Sequence, residues 1–176
     1  MPVPVHSSAN ELFVVSRHAM KFSRFAEIPS LSGAYMPTLR DAIQRLGISQ
    51  VGPEVFIYTF QTNPHGGRRP LDGDFTLEMG IPIAEEKPGL PAEFDYKRVS
   101  QFRYISLRTT DFSQWTSLRN TAELNGLRRT LIEREVYLHD TVELQEGVEY
   151  SCRKQTGHSA RRAKRHGEFG PCPTPE

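Results

Sequence analysis

Residues 54–60 read EVFIYTF and residues 134–140 read REVYLHD. Both runs are rich in β-branched and aromatic side chains, the composition of strands. Side chains alternate along a strand, so Phe56 and Tyr58 share one face of the first run, and Glu135 and Tyr137 share one face of the second. The two runs line up with each other. Their alignment puts one carboxylate, Glu135, among three rings if the shared face is a pocket wall. If that face meets solvent instead, Glu135 is an ordinary surface charge paired with Arg134 or with a neighbouring strand.

Outward from these runs the chain repeats an order of elements. LFVVSRH (12–18) reads as a strand, and SGAYMPTLRDAIQRLG (32–47) reads as a helix. Leu39, Ala42, Ile43 and Leu46 fall on one face of that helix. Thr38 is placed to cap its start, Pro37 just precedes it and Gly47 ends it. The strand 54–60 follows, then the loop sequence NPHGGRRP (63–70), then the returning strand DFTLEMGIPI (74–83), with Phe75, Leu77 and Met79 on one side. A linker rich in proline, AEEKPGLPAE (84–93), separates this half from the next. FDYKRVS (94–100) and QFRYISLRTTD (101–111) read as two strands, the second with Phe102 and Tyr104 on one face and Ile105 and Leu107 on the other. FSQWTSLRNTAELNGL (112–127) reads as a helix capped by Ser113, stopped at Asn125-Gly126 and carrying Trp115, Leu118 and Ala122 on one face. IEREVYLHD (132–140) and VELQEGVEYS (142–151) close the series as strands.

Two βαββ units therefore follow one another, over about 12–83 and 94–151. The expected architecture is α+β: two pseudo-twofold βαββ modules forming antiparallel sheet, with two helices and a central groove where the halves meet. Residues 1–11 read as an N-terminal arm, 12–152 as the domain and 153–176 as a basic disordered tail.

Composition narrows the function classes. The chain has 176 residues, net charge +1 and 37% hydrophobic residues, which suits one globular domain. The tail 153–176 holds six of the 22 Lys and Arg and only two of the 21 Asp and Glu, so the body 1–152 is net −3. A slightly acidic body is a poor generic binder of nucleic acid, and only weak contact by the basic tail is expected. No apolar run approaches the roughly 20 residues of a membrane helix, and no signal peptide is visible, so the expected location is the cytoplasm. Cys152 and Cys172 read as free thiols. None of the six histidines has a metal-ligand spacing, and HGGRR lacks the context of a phosphate loop, so neither a metal nor a cofactor is expected.

GPEVFIYTF, a strand ending MGIPI and a second half carrying REVYL together resemble the GyrI-like small-molecule-binding domain. The same superfamily holds the effector-binding domains of multidrug-responsive transcription activators. The resemblance covers about 12–151 and departs from the family in the turns before each helix, here SLSGAYM and TTDFSQW. It implies a pocket for amphipathic, often cationic, aromatic ligands, with Glu135 facing it. The ligand-binding candidates are then Glu135, Tyr137, Phe56, Tyr58, Trp115 and Tyr35. A carboxylate there would neutralise the cation, and rings would add cation–π contacts of roughly 0.5–2 kcal/mol each. The leading reading is a stand-alone protein that binds or sequesters such a ligand. Some members of the family hydrolyse strained natural products, and in that alternative Glu135 and Tyr137 would be catalytic. A third reading is a protein-interaction module like the gyrase inhibitors of the family, which would need a surface rather than a pocket.

Overall fold

A computed structural model describes residues 2–61 and 74–150. The loop sequence NPHGGRRP, the basic tail and both cysteines lie outside the described residues. The described elements are β1 (His6–Lys21), α1 (Ile28–Arg45), β2 (Val55–Phe60), β3 (Asp74–Pro82), β4 (Asp95–Thr109), α2 (Trp115–Leu124), β5 (Leu127–Tyr137) and β6 (Val142–Tyr150). A short 3-10 turn precedes each helix, Phe22–Glu27 before α1 and Phe112–Gln114 before α2.

The class is α+β, and the order strand, helix, strand, strand occurs twice. All pairings are antiparallel, in the order β1-β3-β2-β5-β6-β4, and β4 returns to β1 to close a barrel. Alternation along single strands does not specify that closure. It removes free sheet edges, which would otherwise offer unpaired backbone groups. The runs around residues 54–60 and 134–140 turn out to be neighbours: β2 pairs with β5, with Phe56 opposite Glu135 and Tyr58 opposite Glu133.

Strand alternation sorts side chains onto two faces. One face carries the helices. There Leu39, Ala42 and Ile43 of α1 pack on Tyr58, Phe75, Leu77 and Met79, and Leu118 and Ala122 of α2 pack on Ile105, Leu144 and Val148. The other face holds Phe13, Val15, Val55 and Ile57, a cluster without helix residues.

Three local expectations are corrected. The first helix starts at Ile28, with a proline in its first turn, and runs through Pro37. Thr38 is therefore no cap; its hydroxyl bonds the carbonyl of Ala34 inside the helix at 3.3 Å. Pro37 forfeits one backbone bond, yet burial of Ile28, Met36 and Leu39 on one stripe outweighs that loss. FDYKRVS and QFRYISLRTTD form one strand, β4, because β1 pairs with the first part and the beginning of the second, and β6 pairs with the rest. In the second half the capping side chain is Asp111, which accepts from the amide of Ser113 at 2.8 Å, and Ser113 lies inside the 3-10 turn. Gly47, at φ +62°, does end α1 in the left-handed region that glycine favours.

Gly147 sits where β6 crosses an irregularity in β5 between Arg129 and Glu133. A methyl group there would overlap the Thr130 hydroxyl and lie 2.7 Å from the Ile132 carbonyl. Gly33, in α1, has open space around the same position. Gly147→Ala should therefore lower stability to denaturant by about 1–3 kcal/mol, while Gly33→Ala should raise it by about 0.5–1 kcal/mol. Urea melts of both variants would show equal effects if the crossing were not tight.

Candidate functional site

Glu135 is buried, at 4% exposure, on the helix face of β5. Its neighbours follow from register. Tyr137 is two residues along the same strand and Tyr58 lies diagonally across on β2. Tyr58 and Tyr137 each donate a hydroxyl bond to Glu135 Oε2 at 2.8 Å. Trp115, the first residue of α2, donates its indole Nε1 to Oε1 at 3.3 Å. Phe56 packs edge-on against Tyr137, with ring centroids 4.7 Å apart.

Among the described residues no cation is paired with Glu135: its donors there, Tyr58, Tyr137 and Trp115, are all neutral. Burial raises its pKa above the usual carboxylate range, and the three hydroxyl and indole bonds only partly offset that. Burial also raises both tyrosines, Tyr58 strongly, with the nearby Glu135 charge adding to it. The hydroxyls thus stay protonated and remain donors.

A cavity of about 190 Å³ opens at this carboxylate. Phe22, Phe25, Tyr58, Phe60 and Trp115 form its aromatic walls, and Arg119, Glu133 and Glu135 supply its charges. Phe22 and Phe25 come from the 3-10 turn before α1, where three residues per turn bring side chains three apart onto one side. Their rings stack at 6.0 Å, and Phe25 stacks on Tyr58 at 6.0 Å. An apolar cavity of about 150 Å³ is enough to enclose benzene. At about 190 Å³ this one has room for a single aromatic ring.

Behind Glu135 lies a second carboxylate layer. Glu133 and Glu146 face each other across β5 and β6, both fully shielded. Arg119 donates to Glu133 from Nε at 3.0 Å and Nη2 at 2.8 Å, and Arg129 bridges Glu133 and Glu146 at 3.2 and 2.8 Å. Burial, with Glu133 alongside, pushes the Glu146 carboxyl up to about 7 despite the two arginines.

A larger cavity, about 370 Å³, lies on the other face of the barrel, against Arg134, Val136 and Tyr104. Arg134 is buried there, paired with Glu11 at 2.8 Å and stacked 3.8 Å over the Phe102 ring centroid. The charges of the larger cavity, Arg134 and Glu11, already match each other, whereas Glu135 in the smaller one meets neutral donors, so the smaller cavity is the better candidate for a cation.

The structure thus brings Glu135, Tyr137, Phe56, Tyr58 and Trp115 together. It does not bring Tyr35, whose ring packs edge-on to His18 at 4.6 Å in the α1 core. Phe112 is exposed and His139 is exposed beside Asp140. Sequence reasoning missed Phe22, Phe25, Arg119, Glu133 and Glu146. Strand parity points to Glu133, two residues before Glu135, and helical spacing points to Arg119, four after Trp115; the stretch holding Phe22 and Phe25 carries no clear period. Among the described residues no group of three or more His, Cys, Asp or Glu side chains is placed to hold a metal ion. Among them too, no helix is long and apolar enough to cross a membrane.

No family model and no curated protein matches the sequence. Solved structures do match in fold. The EcmrR C-terminal domain aligns with a TM-score of 0.61 at 12% identity, over 85% of this chain and 98% of that one. EcmrR in a DNA complex aligns at 0.60 and 12% identity, with 85% of this chain on 57% of that one. SAV2435, in a structure bound to tetraphenylphosphonium, aligns at 0.58 and 11% identity, over 85% and 94% of the two chains. At 11–12% identity the likeness is one of fold alone.

The Glu146 carboxyl makes stability depend on pH. An unfolded glutamate ionises near 4.5 and this one near 7. Between those values the folded state holds a proton that the unfolded state has lost, so stability falls as pH rises through the window. The groups facing it are Glu133, Arg119 and Arg129. Thermal melts from pH 4.5 to 7.5 should show wild type losing on the order of 1–3 kcal/mol relative to Glu146→Gln. Parallel curves for the two proteins would mean that Glu146 titrates as an ordinary exposed carboxyl.

Proposed function

We propose that this chain is a small-molecule-binding module of the GyrI-like kind, built from two βαββ halves related by a pseudo-twofold axis. Its ligand is an amphipathic cation bearing aromatic groups. One observation carries the reading: among the described residues a buried carboxylate, Glu135, is held by neutral donors alone at the wall of an aromatic cavity. A buried carboxylate without a counter-cation is a costly arrangement that a bound cation relieves. Tyr58, Tyr137 and Trp115 orient the carboxylate, and the Phe22, Phe25 and Phe60 rings line the space beside it. The tetraphenylphosphonium complex of SAV2435, a protein of the same fold, supports the ligand class.

The single tryptophan, Trp115, touches Glu135 and reports occupancy directly. Titration of wild type with tetraphenylphosphonium should give a saturable change in tryptophan fluorescence. Glu135→Gln keeps the size and an acceptor but removes the charge, and should weaken binding roughly 10–100-fold. Mass analysis should return the compound intact. An affinity unchanged by the substitution would remove Glu135 from the site, and conversion of the compound would replace binding by catalysis.

A further inference from the structure

Arg134 and Val136 flank Glu135 along β5, so strand alternation turns both of them to the opposite face, where the cavity of about 370 Å³ lies. That volume falls within the roughly 300–1,000 Å³ of small-molecule sites. One end of the cavity is apolar. Leu12, Phe13, Val55, Pro82 and Val136 line it, and Val51 stands there with 62% of its surface exposed. The Val51 amide donates to the Pro82 carbonyl at 2.9 Å, which pins the loop before β2 to the end of β3. The other end is polar, and a backbone irregularity shapes it. Asn10 has φ +56°, in the left-handed region that asparagine enters more readily than most residues. Ser8 and Glu11 are three residues apart and would point to opposite faces of a regular strand. Across Asn10 they meet instead: the Ser8 hydroxyl donates to Glu11 Oε2 at 2.9 Å. The same oxygen accepts from Arg134 Nη1 at 2.8 Å. The Arg134 side chain is 4% exposed, and its guanidinium packs on the rings of Phe102 and Phe13. Its charge is therefore matched, but its hydrogen bonding is not. A guanidinium carries more N–H groups than one carboxylate oxygen takes up, and among the described residues the buried Nε of Arg134 has no partner. An unmade bond of a buried donor is costly.

We propose that this cavity is a second ligand site, for an uncharged amphipathic molecule whose apolar body fills the Val51 end and whose carbonyl accepts a hydrogen bond from Arg134. Glu11 decides the charge of the ligand. An anion would meet the Glu11 carboxylate and a cation the Arg134 guanidinium, whereas an uncharged acceptor meets neither penalty. The two cavities have no lining residue in common, so this site stands or falls independently of the reading of Glu135. A guanidinium that only neutralises Glu11 would leave ligand binding untouched when both charges are removed, and that difference is measurable.

The probes are prodan, an uncharged naphthalene dye bearing a propanoyl carbonyl and a dimethylamino group, and dimethylaminonaphthoate, the carboxylate of the same ring system. Titration of wild type with prodan should give saturable, blue-shifted dye emission, and the carboxylate should bind more weakly. Arg134→Met keeps the apolar stem but removes the donor, and should weaken prodan about fivefold or more. Should that variant fail to fold because Glu11 loses its counter-charge, Arg134→Met combined with Glu11→Gln removes both charges and should weaken prodan to the same degree. Glu11→Gln alone leaves Arg134 without its carboxylate, so the naphthoate should gain about tenfold while prodan changes less than about threefold. Absence of a saturable prodan signal in wild type overturns the site. Prodan affinity unmoved by removal of Arg134 overturns the role of the guanidinium, and with it the proposal. Tighter binding of the naphthoate than of prodan by wild type overturns the assignment of an uncharged ligand.

Discussion

Glu135 is taken out of water on a strand whose neighbours are aromatic, and much of the local structure follows from how its charge is accommodated. Neutral hydrogen bonds are worth about 1 kcal/mol each net, whereas an uncompensated buried carboxylate costs several. The raised pKa of Glu135 reflects that imbalance: desolvation is larger than what Tyr58, Tyr137 and Trp115 return. Those donors come from β2, β5 and α2. The carboxylate is thus oriented only while the β2–β5 register and the seat of α2 both hold. A slip of one residue in β5 would turn Glu135 to the opposite face and bring Arg134 into its place.

Strand alternation distributes three consecutive charges in β5 and gives each a different solution. Arg134, on the face without helices, is matched by Glu11 and by the ring of Phe102. Glu133, on the helix face, is matched by Arg119 and Arg129. Glu135 alone of the three shows only neutral donors among the described residues. Buried ion pairs are weak evidence of stabilisation but strong evidence that the charges are held in place. The arrangement is therefore complete at two positions and open at the third, and the open one adjoins the aromatic cavity.

Much of this geometry is legible in the sequence because it depends on period and parity. The alternation in EVFIYTF and REVYLHD places Phe56, Tyr58, Glu135 and Tyr137 on one face, and the pairing of β2 with β5 sets those faces side by side. Trp115, at the start of its helix, points to the same place. What escapes sequence reasoning depends on packing between elements. Pro37 reads as a helix boundary by a local rule that tertiary burial overrides. Tyr35 reads as a groove residue only if the helix begins after it; eight residues inside α1, it turns to His18 instead. Phe22 and Phe25 become a wall because a 3-10 turn brings them into line, and the meeting of Glu133 with Glu146 depends on an irregularity in β5 that no periodic pattern signals.

The fold is shared with structures at about 12% identity, so what these chains hold in common is the order and register of elements rather than a set of side chains. Register sets where a pocket face lies; it does not set which charge sits there. In this chain the cavity lies between the 3-10 turn before α1, the first half of α2 and the neighbouring strands β2 and β5, and its charged groups are side chains of α2 and β5. The backbone scaffold and the charge of the site are therefore separable in physical terms. Aromatic walls give affinity that is tolerant of ligand shape, because any ring offers a face. In the proposed reading, discrimination then falls on charge, and the buried Glu135 carboxylate carries it rather than the shape of the fold.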